Sequence, residues 1–291
     1  MSPPSRDTRT ALFFNLPAYA ILFAFLIFPT AYSFWVSLQA YDLTNPPVKF
    51  AGLNNYWHLF EGNMFWTSLW NTLIFTFSSV SITFVLSLCF AVVLNEQVRG
   101  IGKLRGLNAL PWTIPPIVTG LMWSWIFNIR YGIVNYLLQS IGLVPLLWAA
   151  SDVLAMFSVV VARSWHEITF GVLLLLAGLQ SIPTDVYEAA KIDGAKTFGR
   201  FSRITLPLLG NQIASVLIFE TMWTLREFDI IYAMTYGGPG MATTVLGWFV
   251  YKLAFLYLDF GSGAAVAFVL ASVTMLFAIV FYKVFYRRIE Y

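Results

Sequence analysis

The passage Ser181-Ile-Pro-Thr-Asp-Val-Tyr-Glu188-Ala-Ala-Lys-Ile-Asp193-Gly194-Ala-Lys-Thr-Phe-Gly-Arg200-Phe-Ser-Arg-Ile204-Thr-Leu206-Pro207 is a polar island between two long apolar runs. Pro183 stands where a first helical turn tolerates proline, Thr184 and Asp185 follow as cap or early-turn residues, and Gly194 is placed to end the helix. The spacing predicts a short helix over 184–193. Val186, Ala189, Ala190 and Asp193 fall on one of its faces, and the alanines leave that face flat. Such a helix suits two roles: an amphipathic connector at the headgroup boundary, or a docking surface for another protein.

Around this island the chain is too apolar for a soluble domain. Of 291 residues, 59% are hydrophobic and 11% charged, where soluble domains average roughly 25% charged residues. A membrane-crossing helix needs about 20 mostly apolar residues, and such runs recur near 12–38, 68–94, 107–127, 153–181, 208–234 and 263–286. The expected fold is an all-α membrane protein of six transmembrane helices, with a cytoplasmic helix between the fourth and fifth. The run 12–38 follows Arg6 and Arg9 but exceeds the roughly 7–15-residue core of a signal peptide. It is read as an uncleaved first span.

Basic residues orient these spans. Arg6, Arg9, Arg99, Lys103, Arg105, Lys191, Lys196, Arg200, Arg203, Lys283, Arg287 and Arg288 share one side, against Lys49, Arg130 and Lys252 on the other. Short cytoplasmic connections carry the excess of Lys and Arg. Both termini, 95–106 and 182–207 are therefore expected inside, with 39–67, 128–152 and 235–262 outside. The net charge of +3 then reflects topology and not nucleic-acid binding. Trp57, Trp66, Trp70 and Trp148 fall near the expected interfaces, as an aromatic belt does. A lone cysteine, Cys89, excludes an intrachain disulfide, and His58 and His166 show no ligand spacing, so no metal site is expected.

Glu188-Ala189-Ala190, three residues, Gly194, nine residues, then Ile204-Thr205-Leu206-Pro207 resembles, at every position, the signature loop of binding-protein-dependent ABC importer permeases. The resemblance implies a coupling helix seated in an ATP-hydrolysing subunit, with Glu188, Ala189, Ala190, Asp193, Gly194, Ile204, Leu206 and Pro207 as the coupling set. A second stretch, Phe228-Asp229-Ile-Ile-Tyr232-Ala-Met-Thr235-Tyr-Gly237-Gly238-Pro239, extended by Thr243-Thr244 and Tyr251, resembles the maltose-type sugar permeases. The likeness covers roughly residues 70–286, and the extra first span also suits glycerol-phosphate-type subunits. It implies a second homologous permease chain, two ATP-binding subunits, an extracytoplasmic solute-binding protein and a prokaryotic inner membrane. The implied organisation is a tail over 1–11, a first helix and external loop over 12–67, a permease core over 68–286 and a tail over 287–291. Gly100-Ile-Gly102-Lys103-Leu104 lacks the glycine spacing and the Ser or Thr of a phosphate loop. No cofactor is expected on this chain; ATP and Mg belong on the partners.

The fourth and fifth spans carry Arg163, His166, Glu167, Glu220, Arg226, Glu227 and Asp229, although a charge at the bilayer centre costs about 2.5–3.5 kcal/mol even on the lenient insertion scale. At about 1.5 Å rise per residue, Arg163, Glu167 and Glu220 share a central depth. Arg163 can pair with Glu167 within its helix or with Glu220 across helices. Arg226, Glu227 and Asp229 come nearer the outer boundary, where snorkelling to external water is the plain reading. A sugar offers hydroxyls and apolar ring faces, which suits charged groups beside Trp223, Phe228 and Tyr232. Arg163, Glu167, Glu220, Trp223, Arg226, Glu227, Asp229 and Tyr232 form the candidate substrate pathway, with a glycerophosphate held through Arg226 as the alternative. An ion-coupled carrier would also use midplane charges, but it gives no reason for the Glu-Ala-Ala loop. A hydrolase built on Ser262 lacks the nucleophile-elbow pattern.

Overall fold

The computed structural model describes residues 6–96 and 100–285, with side chains over 13–96 and 100–283. Expectations on Arg99, Arg287, Arg288 and the 287–291 tail, and on the side chains of Arg6 and Arg9, lie outside the described residues. The described residues are mostly helical, and the chain divides into two units, residues 1–62 with 250–269 and residues 63–249 with 270–291.

In the first unit α1 (Arg6–Leu22) passes through a π-helical turn at Phe23–Ile27 into α2 (Phe28–Ser37). Pro29 stands two residues past that turn, and a proline ring clashes with the carbonyl four residues back in a regular helix; the wider turn relieves the clash. Strands β1 (Gln39–Ala40) and β2 (Lys49–Phe50) pair antiparallel before α3 (Asn54–Glu61). Asn55 Nδ2 donates to the carbonyls of Ser37 at 2.8 Å and Gln39 at 2.7 Å, tying α3 to the end of α2. In the loop between the strands, bonds from the Thr44 hydroxyl, the Asn45 amide and the Thr44 backbone hold the Asp42 carboxyl below its usual range.

The second unit begins with α4 (Asn63–Asn95), α5 (Ile101–Asn108), α6 (Leu110–Thr113), α7 (Pro116–Ile126) and α8 (Ile133–Ser140). It continues with α9 (Asp152–Ser181), α10 (Thr184–Ile192), α11 (Thr197–Arg200), α12 (Leu206–Leu208), α13 (Gly210–Thr224) and α14 (Asp229–Met234). Helices α15 (Leu246–Tyr251) and α16 (Phe260–Phe285) each run across the division between the units. The buried face of α4 carries Thr72, Thr76, Ser79, Thr83 and Ser87, all small and hydroxyl-bearing. Helices in lipid gain little from hiding apolar surface, so close approach of small side chains drives their packing. Ser87 Oγ donates to the Ile168 carbonyl at 3.0 Å, and a Cβ at Gly171 would collide with the Ser87 side chain. Towards the other end, Ala91, Leu94, Val172, Leu175, Leu209 and Val216 close an apolar core.

Among the described residues four helices are long and apolar enough to cross a membrane: Phe13–Ser37, Asn63–Asn95, Asp152–Ser181 and Phe260–Lys283. The bent pair Thr197–Leu208 and Gly210–Thr224, with 66° between its halves, makes a fifth when counted as one span. The run 107–127 is not one helix. It breaks at Ala109 and again at Ile114 and Pro115, because Pro111, Pro115 and Pro116 remove donors and fix φ. The run 208–234 likewise breaks between Thr224 and Asp229.

The Trp148 ring corrects the aromatic-belt expectation. It is buried, donates to Asn135 Oδ1 at 2.9 Å and packs against Phe127 at 5.0 Å. Trp57, Trp66 and Trp70 are exposed.

Candidate functional site

The interrupted helices leave backbone groups that need hydrogen-bond partners where they are buried in the protein. Helix α9 supplies two. Thr169 Oγ1 donates to the Asn108 carbonyl at 2.5 Å, at the break before α6. His166 Nε2 donates to the Ile114 carbonyl at 2.9 Å, at the break before α7. The broken run therefore lies against the polar face of α9, and a cavity of about 390 Å³ opens between them. Its walls include Trp112, Ile114, Pro115, His166, Glu167 and Trp223.

Behind this wall sits a buried ion cluster. Arg163 Nη1 lies 2.6 Å from Glu167 Oε1, one helical turn on, and Arg163 Nε lies 2.8 Å from Glu227 Oε2. His166 Nδ1 is 2.9 Å from the same Glu167 Oε1. Arg163 Nη2 donates to Thr224 Oγ1 at 3.4 Å, and Thr224 in turn donates to the Glu220 carbonyl at 2.7 Å. Glu220 is 1% exposed, and its Oε1 has no hydrogen-bond partner among the described residues.

Both pairing options for Arg163 are thereby decided. The pair within the helix forms, and the partner across helices is Glu227 in place of Glu220. Glu227 does not snorkel. The break after Thr224 turns it inward, where its Oε1 also accepts the Ile230 backbone N–H at 3.1 Å.

The remaining pathway candidates separate. Trp223 stands on the cavity wall, edge-on to Phe170 at 4.6 Å. Arg226 and Asp229 are exposed, and Arg226 Nε donates to the Met222 carbonyl at 3.1 Å. Tyr232 belongs to a different cluster. Phe228, Tyr232 and Tyr236 lie within 5.8, 5.7 and 4.6 Å of the buried Trp248 ring. The turn that follows is locked by Thr243 donating to Gly238 and Thr244 to Gly237, both at 2.8 Å, and Asn71 Nδ2 holds the Met241 carbonyl at 2.7 Å. Gly237 has φ +81°, and a Cβ there would strike the Trp248 indole.

Trp112, Ile114, His166 and Thr224 were missing from the sequence-based pathway set. For Trp112, Ile114 and the His166 that meets Ile114, the signal was the cluster Pro111, Pro115 and Pro116 inside an apolar run: irregular backbone at membrane depth is tolerated where it is buried in protein or lines a cavity.

The polar island carries helix α10. Pro183 is its N-cap, and Asp185 lies in the first turn, where a negative charge suits the helix dipole. At its end Ala195 N–H bonds the Ala190 carbonyl at 2.9 Å and Gly194 N–H bonds the Lys191 carbonyl at 3.0 Å, with Gly194 at φ +78°. This is a Schellman cap. Glu188, Ala189, Asp193 and Gly194 are exposed, and Ala190 is buried. The Tyr187 hydroxyl meets Thr205 Oγ1 at 3.1 Å, linking α10 to the π-helical turn Phe201–Thr205 that leads into Leu206 and Pro207. Ile204 and Leu206 are half-buried at that bend, and Pro207 is exposed. Ile192 and Phe198 stand out at 87% and 80% exposure.

Residues 104–291 match the family described as binding-protein-dependent transport system inner membrane component. The chain is 41% identical over 283 residues to the trehalose/maltose transport system permease of Thermococcus litoralis, covering 96% of this chain and 94% of that one. It is 33% identical to the sn-glycerol-3-phosphate transport system permease of Yersinia enterocolitica, covering 95% and 94%. Its fold matches a chain of a bacterial ABC transporter involved in importing the acidic polysaccharide alginate, with TM-score 0.82, 20% identity and coverage of 98% and 100%.

Proposed function

Since the chain belongs to the family of binding-protein-dependent transport system inner membrane components, we propose that it is the permease subunit of an ATP-driven sugar importer in a prokaryotic inner membrane. The single observation that carries the sugar reading is the cavity between the broken α5–α7 run and α9, with indole rings and a carboxylate on its wall. Indole faces take the apolar C–H faces of a sugar ring, and a buried acceptor takes its hydroxyls.

In this reading the chain crosses the membrane six times, the interrupted 107–127 run included, with both termini inside. Helix α10 faces the cytoplasm and docks on one of two ATP-binding subunits, where ATP and Mg are held. A second homologous permease chain completes the pathway, and an extracytoplasmic binding protein delivers the solute. Closure of the ATPases pushes α10. The Tyr187–Thr205 contact passes that movement to α13, which bears Glu220 and Trp223. The bend of 66° at the head of α13 is the joint through which it acts.

The test is uptake of labelled trehalose and maltose by proteoliposomes holding all subunits, with ATP inside and binding protein outside. Uptake that requires both supports the reading. Uptake driven by a proton or sodium gradient without ATP would identify an ion-coupled carrier instead.

A further inference from the structure

Helix α8 and the segment that returns from it to α9 form a hairpin fixed by one side chain. Asn135, 2% exposed, donates through Nδ2 to the Leu146 carbonyl at 3.0 Å, and its Oδ1 accepts the Leu146 backbone N–H at 3.0 Å and the Trp148 indole N–H at 2.9 Å. Gly142, at φ +81°, closes the helix: its N–H bonds the Gln139 carbonyl at 3.0 Å, and the Leu143 N–H bonds the Leu138 carbonyl at 2.9 Å. The outward side of this hairpin is apolar. Ile133, Leu137 and Ile141 recur at intervals of four, which places them on one helix face, Leu143 and Val144 follow, and these residues are 54–77% exposed. No Asp, Glu, Lys or Arg occurs over residues 131–151.

Beside the stripe lies a notch of about 410 Å³ whose lining includes Arg130, Tyr131, Tyr136 and Gln139. These side chains bring a guanidinium, two phenols and an amide, and no Asp or Glu is among the described residues that line it. Arg130 and both tyrosines are exposed. Such a set presents N–H and O–H donors to an anion, and a guanidinium forks onto phosphate.

Exposed apolar stripes with a polar rim mark contacts with protein or membrane, and two observations choose the membrane. The hairpin runs directly into α9, which is long and apolar enough to cross a bilayer, and Val153 and Phe157 are exposed in its first two turns, so apolar surface continues from the span to the hairpin. The notch sets a cation and two tyrosines beside that surface, as headgroup phosphates and an aromatic belt require. A soluble protein that binds and leaves meets a surface about as polar as the rest of its partner, whereas this stripe carries no charge. We infer that the α8 hairpin is a lipid anchor: Ile133, Leu137, Ile141 and Val144 sit among the acyl chains of the leaflet that α9 enters, and the Arg130 notch holds the phosphate of a phospholipid headgroup. Because Asn135 makes the hairpin stiff, the anchor sets the depth at which α9 enters the membrane.

The experiment uses the full chain assembled with its partner subunits in phosphatidylcholine nanodiscs. In a Cys89→Ser background a bimane is attached at Ile141→Cys and, separately, at Val144→Cys, both exposed positions. Quenching by doxyl-labelled phospholipid is expected to exceed quenching by aqueous iodide at least about fivefold. Stronger quenching by iodide would place the stripe in water, and protection from both quenchers, with or without added binding protein, would place it against protein; either result overturns the inference and leaves the importer reading intact. At equal mole fraction, doxyl-labelled phosphatidylglycerol is expected to quench about fivefold more than doxyl-labelled phosphatidylcholine, and Arg130→Gln is expected to remove that preference. A preference that is absent, that survives Arg130→Gln, or that millimolar inorganic phosphate removes would overturn the headgroup assignment.

Discussion

Arg163 on α9 and Glu227 beyond α13 meet at 2.8 Å, both side chains below 10% exposure. The contact ties two helices at the point where the second is interrupted. Removing one partner of a buried pair leaves an uncompensated charge, which costs about 3–5 kcal/mol. Glu227→Ala is therefore expected to lower the melting temperature of the purified complex sharply, and Arg163→Met added to it is expected to recover part of the loss. Additive losses in the cycle would show that the two residues are not coupled.

Gly194 ends α10 at φ +78°, yet a Cβ there would meet nothing within 4 Å. The constraint is conformational, not spatial. Gly194→Ala is expected to destabilise the cap by about 1–2 kcal/mol and to reduce uptake per ATP hydrolysed. Gly194→Asn, which tolerates the left-handed region, is expected to retain most of it. Equal effects from both would point to a contact made by the glycine itself.

Gly120 on α7 lies so close to α14 that a Cβ would sit 2.6 Å from Ala233 Cβ and 3.2 Å from Ile230 Cα. Gly120→Ala is expected to cost about 1–3 kcal/mol through overpacking, read as a lower melting temperature. An unchanged melt would mean that α7 and α14 separate easily.

Ile192 and Phe198, at 87% and 80% exposure, flank the Gly194 cap. Ile192→Asp and Phe198→Asp are expected to change stability by less than about 0.5 kcal/mol while lowering recovery of the ATPase with the purified permease at least about tenfold. Full recovery from both would move the docking surface away from α10.

The helix over Thr184–Ile192 and the long apolar helices were legible because their signals are local: a proline, a glycine and unbroken hydropathy. The interruptions were harder to see. Apolar composition continues across Ile114, so hydropathy alone joins what the backbone separates there, and only the prolines hinted at that break. The second was marked by Arg226, Glu227 and Asp229, three charges just past Leu225.

The site was legible in part. The spacing of four residues between Arg163 and Glu167 permits a pair on one helix face, and that pair forms. The choice of Glu227 over Glu220 depends on how the chain turns after Thr224, which residue spacing cannot express. The same holds for Phe228, Tyr232 and Tyr236. Their intervals of four place them on one side, but their common partner, Trp248, comes from a later helix.

The most direct test of the importer assignment substitutes Glu188 and Gly194 together and measures binding-protein-stimulated ATP hydrolysis and sugar uptake in proteoliposomes with the partner subunits. Loss of both activities in a protein that still inserts and assembles with the second permease is the predicted result. Uptake that persists at the wild-type rate with this loop altered would contradict coupling through α10, and with it the assignment of the chain as an ATP-driven permease.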